Sequence, residues 1–193
     1  LVNSPQVQDQ WDQPSALAGM TVGALAAHLV RATGATLAYL DRTDVDTKPE
    51  RELLTKVSYF HAAVDSPIHD RIKEVSADEA SAGHKQVAAL ARQVAESLAE
   101  RLPNEPVDRL VGALGDRTLT LDDFCRTRMI EIGMHIDDLA HSVGVPTPGL
   151  SADVTAEIID ILVGIGRNLV GIGRNRSESV GIWSESVGIG RNR

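Results

Sequence analysis

The sequence predicts an all-α fold, an up-and-down four-helix bundle. Apolar residues recur three and four positions apart through several long stretches, the spacing that lines one face of a helix. Aromatic residues make up only 3% of the chain, so the core has to be Ala, Leu, Val and Ile, which suits packed helices. Only residues 103–121 lack the helical pattern over any length.

Residues 1–10 read as the last turns of a first helix. Ser4-Pro5 can cap and start a short one, since proline is tolerated at the first helical position. A loop with Pro14 and Gly19 follows. Thr21 then caps a helix to Leu40 whose stripe is Val22, Leu25, Leu29, Ala32, Thr36 and Leu40. Residues 41–48 are polar and read as a loop. Pro49-Glu50 restarts a helix to about Ala63, and Ser66-Pro67 starts another. Helical pattern then runs to about Leu102, bent near Ser81-Ala-Gly83, with its stripe on Val87, Leu90, Ala91, Val94, Leu98 and Leu102.

Within 103–121, Arg109 to Val111 and Thr118 to Thr120 can pair weakly around Gly115-Asp116 as a short hairpin. Thr120 or Asp122 starts the next helix, and Gly144-Val-Pro146 stops it. Ser151 caps a last helix with Val154, Ile158, Ile161 and Leu162 facing in. The tail departs from this pattern. Val-Gly-Ile-Gly-Arg-Asn occurs at 163–168, 170–175 and 187–192, and Ser-Glu-Ser-Val-Gly-Ile at 177–182 and 184–189. Glycines inside a helix cost about 1 kcal/mol each. The expected division is a bundle over residues 1–162 and an atypical Gly/Arg-rich tail over 163–193.

The helix that starts near Asp122 carries the chemistry. Cys125, Met129, Ile132, Ile136, Leu139 and Val143 form its apolar stripe. Glu131 and His135, four residues apart, share one face and lie about 60–100° to the side of that stripe. His28 occupies a matching shoulder on the earlier helix. Two imidazoles and a carboxylate on two facing helices are a zinc-type donor set that leaves a coordination position open. The plain alternative is an i, i+4 pair on a helix surface. Asp138, nearly on the same face, can orient a ligand as an acceptor. Arg128, beside His135, can hold a substrate carboxylate, or pair with Glu131 or Asp122. Arg31, one turn after His28, has the same two readings. Cys125 reads as a buried small hydrophobe, and His61, His69, His84 and His141 fit no ligand spacing.

Trp11-Asp-Gln-Pro-Ser15, Gly19-Met-Thr-Val-Gly-Ala-Leu-Ala-Ala-His28-Leu and Arg128-x-x-Glu131-x-x-x-His135-x-x-Asp138-Leu together resemble the N-terminal domain of mycothiol-dependent maleylpyruvate isomerases, within the DinB-like metalloenzyme superfamily. The resemblance covers roughly residues 5–160. It implies a DinB-like four-helix bundle with a divalent metal, usually Zn2+, held by His28, Glu131 and His135. It also implies a low-molecular-weight thiol such as mycothiol, meeting the metal as a thiolate. In those isomerases the thiolate would add to the cis double bond of maleylpyruvate, and rotation and elimination would give the trans isomer. Nothing after residue 160 looks like their second domain, so a thiol S-transferase is implied as readily as an isomerase. The reading from another class is a non-catalytic metal-binding bundle, a sensor or interaction module.

Charge and composition set the remaining bounds. The 193 residues suffice for one domain with a full core, and 42% hydrophobic with 24% charged content is ordinary for a globular protein. A net charge of −8 argues against nucleic acid, whose phosphates need a basic face. The single cysteine rules out an internal disulfide and fits a reducing compartment. No apolar run approaches the roughly 18 residues of a membrane span, and no leader is visible, so the expected location is cytoplasmic. The expected partners are a small-molecule substrate and a thiol. Ile130 and Met134 point away from the core stripe, which makes their helix either central or the face of a homodimer.

Overall fold

The computed structural model of the chain describes residues 1–42, 51–64 and 68–173. Pro49-Glu50, Ser66-Pro67, most of the expected 41–48 loop and the repeats beyond residue 173 lie outside the described residues. Helix predominates, with one small sheet.

Three later helices pack most extensively on α2 (Val22–Leu40). The chain before it prepares its start. Thr21 Oγ1 accepts from Ala24 N at 3.1 Å, Val22 N donates to Gln13 O, and Gly23 N donates to Trp11 O. Three amides that a helix start leaves without internal partners are thereby satisfied. Trp11 packs against α2 because residue 23 is glycine: a Cβ there would lie 2.5 Å from Trp11 Cε2. The whole expected stripe of α2 is buried, and so are Ala24, Ala26, Ala27, His28 and Val30. Burial almost all round marks a central helix. The short α1 (Pro5–Asp9), capped by Ser4, packs Val7 with Val22, Leu25 and Leu139.

One side of α2 meets α4 (Ile68–Ala80) and α5 (His84–Arg101). The bend expected near residues 81–83 is a complete break. Gly83 sits at φ +87 just before the next helix, as its N-cap, a conformation that glycine adopts without strain. On α5 the buried residues are Val87, Ala88 and Val94; Leu90, expected inside, is 49% exposed.

The fold is mostly helical as expected, with a small three-stranded sheet in the order β1-β3-β2, whose hairpin falls in the expected stretch while β1 was not expected. β2 (Leu110–Ala113) and β3 (Arg117–Thr120) form the antiparallel hairpin, from Leu110↔Thr120 to Ala113↔Arg117. β1 (Glu52–Leu53) adds in parallel, with Glu52↔Arg117 in register and an ion pair of 2.8 Å between those side chains. These residues were expected to be helical. Instead α3 (Lys56–Val64) starts later, where Thr55 and Ser58 exchange backbone-to-hydroxyl hydrogen bonds at 2.8 and 3.2 Å.

The other side of α2 meets α6 (Leu121–Ser142), capped by Thr120 and stopped at Gly144, which has φ +69. Leu139 and Val143 of its expected stripe are buried, but Cys125, Met129, Ile132 and Ile136 are half-buried, while Phe124, Thr127 and Ile130 are fully covered. The reason is a second wall. Ile130 packs with Ile161 and Ile165 of α7 (Ala152–Gly173), flanked by Val57 and Phe60 of α3. The chain's own α7 covers Ile130, so α6 is central. Glu157 of α7 pairs with Lys56 and Arg126, tying α3, α6 and α7 together. Ile161 faces in as expected; Leu162 is 44% exposed, and Ile165 takes the inward place one turn later.

Candidate metal centre

α2 and α6 pack side by side, and the contact brings His28 of α2 to Glu131 and His135 of α6. One donor atom from each lies within 4.8 Å of the others. The two imidazoles meet edge to face, with centroids 4.7 Å apart. His135 Nε2 lies 3.6 Å from Glu131 Oε2. Donors around a tetrahedral zinc sit about 3.4 Å apart. The Glu131–His135 pair is nearly at that spacing, and the donor types suit the metal. Among the described residues no other group of potential ligands converges in this way.

The neighbouring side chains set the protonation of the three. Burial is the main reason His28 falls to about 4, and the His135 charge pushes the same way. Burial opposes ionisation of Glu131, but the close His135 imidazole and the charges of Arg128, His135 and His28 outweigh it and hold the carboxyl at about 2. Burial also pulls His135 down; the hydrogen bond to Asp138 and the nearby Glu131 carboxylate overcome that and raise it to about 9. At neutral pH the metal-free trio is therefore a neutral imidazole, a carboxylate and an imidazolium. A proton on His135 Nε2 faces Glu131, where a cation would replace it.

Asp138 accepts from His135 Nδ1 at 3.0 Å, which leaves Nε2 for a ligand. Arg128 does not pair with Asp122, which Arg126 holds at 2.8 Å. Its guanidinium donates to Tyr59 Oη at 3.0 Å and to Thr127 Oγ1 at 3.2 Å, and lies over the Phe124 and Tyr59 rings. Its charge reaches both Glu131 and His28. Arg31 donates from Nη2 to His28 Nδ1 at 3.0 Å and to Ser76 Oγ at 3.2 Å, while its Nε lies 3.3 Å from Glu79 Oε2. Cys125 is half-buried and its thiol is pushed up, chiefly by burial, so it is a poor nucleophile. His84 binds Val2 O at 2.9 Å and stacks edge-on with Trp11, away from the trio. Tyr59, Ser76 and Glu79 were missed from sequence. They come from α3 and α4, and no spacing along the chain relates them to α2 or α6.

A family model of the mycothiol maleylpyruvate isomerase N-terminal domain matches residues 1–140. The chain belongs to that family. The match takes in α2 and nearly all of α6, hence all three converging side chains, and leaves α7 outside it. Membership is consistent with the DinB-like superfamily and implies mycothiol-related function. No curated protein and no solved structure matches the chain. Among the described residues no helix is long and apolar enough to cross a membrane.

Proposed function

We propose that His28, Glu131 and His135 hold one divalent metal ion, zinc by its donor set, and that the protein uses it with a low-molecular-weight thiol such as mycothiol. The reaction class is maleylpyruvate isomerase-like or thiol S-transferase. The observation that carries this is the convergence of two imidazoles and one carboxylate from two helices, with no fourth protein donor among the described residues. When bound, the metal would supply a Lewis acid that lowers the pKa of a thiol or water at the open position.

The protein's own groups have separable parts. Asp138 holds the His135 ring in the tautomer that offers Nε2. Arg128, clamped by Tyr59 and two aromatic rings, is a fixed cation beside the trio, suited to a substrate carboxylate. Arg31, expected to touch the thiol cofactor, governs access to His28 through their hydrogen bond. We read the helices as the DinB-like up-and-down four-helix bundle, with α2 and α6 as its ligand-bearing members. We take the bundle as residues 1–162 and the repetitive tail as 163–193, although Ile165 is still buried. We keep the cytoplasmic location as part of this reading; Ile130, now covered by α7, no longer argues for a homodimer.

One observation favours a second reading, a metal-responsive bundle without turnover. Arg31 occupies a nitrogen of His28, so metal binding has to be won against an internal bond. Metal analysis of the purified protein, desalted with and without a low-molecular-weight thiol, tests the first reading. We expect close to one zinc per chain, retained better with the thiol. Absence of metal after loading and desalting contradicts both readings; metal that is indifferent to thiol leaves only the second.

A further inference from the structure

Arg31 of α2 is shared between partners that draw it in different directions. Its Nη2 donates to His28 Nδ1 at 3.0 Å and to Ser76 Oγ of α4 at 3.2 Å. Its Nε faces Glu79 Oε2, also of α4, at 3.3 Å, an ion pair without a well-directed hydrogen bond. Both atoms of that pair are shut off from solvent, and buried polar atoms lacking a completed hydrogen bond are rare and costly. Burial pushes the Glu79 carboxyl up although Arg31 stands beside it, the mark of a charge incompletely compensated.

The shape of the guanidinium explains why the pair is incomplete. A carboxylate pairs best with two parallel N–H groups on one edge of the fork. Nε and Nη2 share an edge, and Nη2 of Arg31 is committed to His28 and Ser76. Full pairing with Glu79 therefore requires Nη2 to leave His28. Ser76 opposes that move. It is fully buried, and its hydroxyl donates to Ile72 O at 2.7 Å, which fixes its oxygen as an acceptor for Arg31.

We infer that Glu79 is a positioning residue of the metal centre: it receives Arg31 as His28 turns to the metal, while Ser76 holds Arg31 back. The inference rests on the metal reading proposed above. An imidazole that gives one nitrogen to a metal carries its proton on the other, and that N–H repels the Arg31 donor. Displacing Arg31 costs its bond to His28; the paired hydrogen bonds it then makes to Glu79 offset that cost. α4 carries none of the three converging side chains, yet through Glu79 and Ser76 it sets how readily His28 joins them.

Zinc competition with a chromophoric chelator, run on the full chain as a double-mutant cycle, tests this. Glu79→Gln keeps the shape and removes the charge, and should weaken zinc about tenfold. The same change made together with Arg31→Met should alter affinity by less than about twofold, because no guanidinium is left to receive. Ser76→Ala should act the other way and tighten zinc about threefold, which keeps the test standing if Glu79→Gln does not fold. A merely structural role would not give opposite signs for two residues one turn apart on the same helix. A wild-type chain that binds no zinc sinks the metal reading, and this inference with it. Zinc binding that Glu79→Gln leaves unchanged, that it weakens equally in the Arg31→Met background, or that Ser76→Ala weakens would overturn this inference alone.

Discussion

Arg31 donates to Nδ1 of His28 across 3.0 Å. A guanidinium has no acceptor, so Nδ1 must carry the lone pair and neutral His28 carries its proton on Nε2. Neither nitrogen is then free for a metal: one accepts from Arg31 and the other is protonated. Binding through Nε2 would move the proton to Nδ1, against a donor, so Arg31 has to withdraw. Arg31→Met, which keeps length without donors, should therefore tighten zinc about tenfold, the worth of one charge-assisted hydrogen bond. Competition with a chromophoric chelator measures it. Weaker binding in the variant would mean that Arg31 supports the ligand set.

Asp138 acts in the opposite sense on the other imidazole. Its Oδ2 fixes Nδ1 of His135 as the donor at 3.0 Å. Asp138→Asn keeps the shape and loses the charge, and should weaken metal binding about 10–100-fold with little change in the melting temperature of the metal-free protein. Unchanged affinity would make Asp138 a solvated acid that happens to lie near.

The metal-free protein should have a bounded pH optimum of stability. His135 is raised from 6.5 to about 9, so its contribution is complete below about 6.5 and is lost as pH rises through about 9. His28 is lowered to about 4, so between 6.5 and 4 the unfolded chain takes up a proton that the folded one refuses, and stability falls as pH drops. Glu131, at about 2, adds stability above 4.5 that is lost as pH falls towards 2. Thermal melts across pH should peak near pH 6.5 and fall off on both sides, on the alkaline side down to about pH 9, and His135→Ala should erase that alkaline limb. An alkaline limb that survives in that variant would assign it to another group.

The end of the packed unit can be located by truncation. Ile161 and Ile165 are both buried against Ile130. A stop after Gly166 keeps both and should leave the melting temperature nearly unchanged. A stop after Leu162 removes Ile165 and should cost about 2–4 kcal/mol in chemical denaturation, the scale of a lost buried isoleucine. Equal stability of the two truncations would show that Ile165 adds nothing.

Much of the frame was legible because α2 and α6 repeat their apolar residues at the helical period, and because Thr21, Thr120 and Ser151 are cap residues with one obvious use. The shoulder positions of His28, Glu131 and His135 follow from the same wheel. What was not legible depends on partners remote in sequence. Glu52 and Leu53 are extended because β3 offers them an edge, and nothing local announces that. Ile130 is buried because α7 happens to cross it, and Leu90 is exposed because α2 is built of small residues opposite. Arg128 was read as a substrate-carboxylate holder or a partner of Glu131 or Asp122, but Arg126 takes Asp122 and Arg128 donates to Tyr59. The family motif beginning at Trp11 turns out to be partly architectural, since Gly23 is there to admit the indole.

The most direct test of the central claim is the visible spectrum of the protein loaded with cobalt(II) in place of zinc, recorded before and after adding a low-molecular-weight thiol. Three protein donors with an open position should give intense, low-symmetry cobalt bands, and the thiol should add a sulfur-to-metal charge-transfer band. Both should vanish in His135→Ala and persist in His84→Ala. A spectrum like that of free hydrated cobalt, or one that His135→Ala leaves intact, would contradict the metal centre; cobalt bands that ignore the thiol would contradict the thiol chemistry.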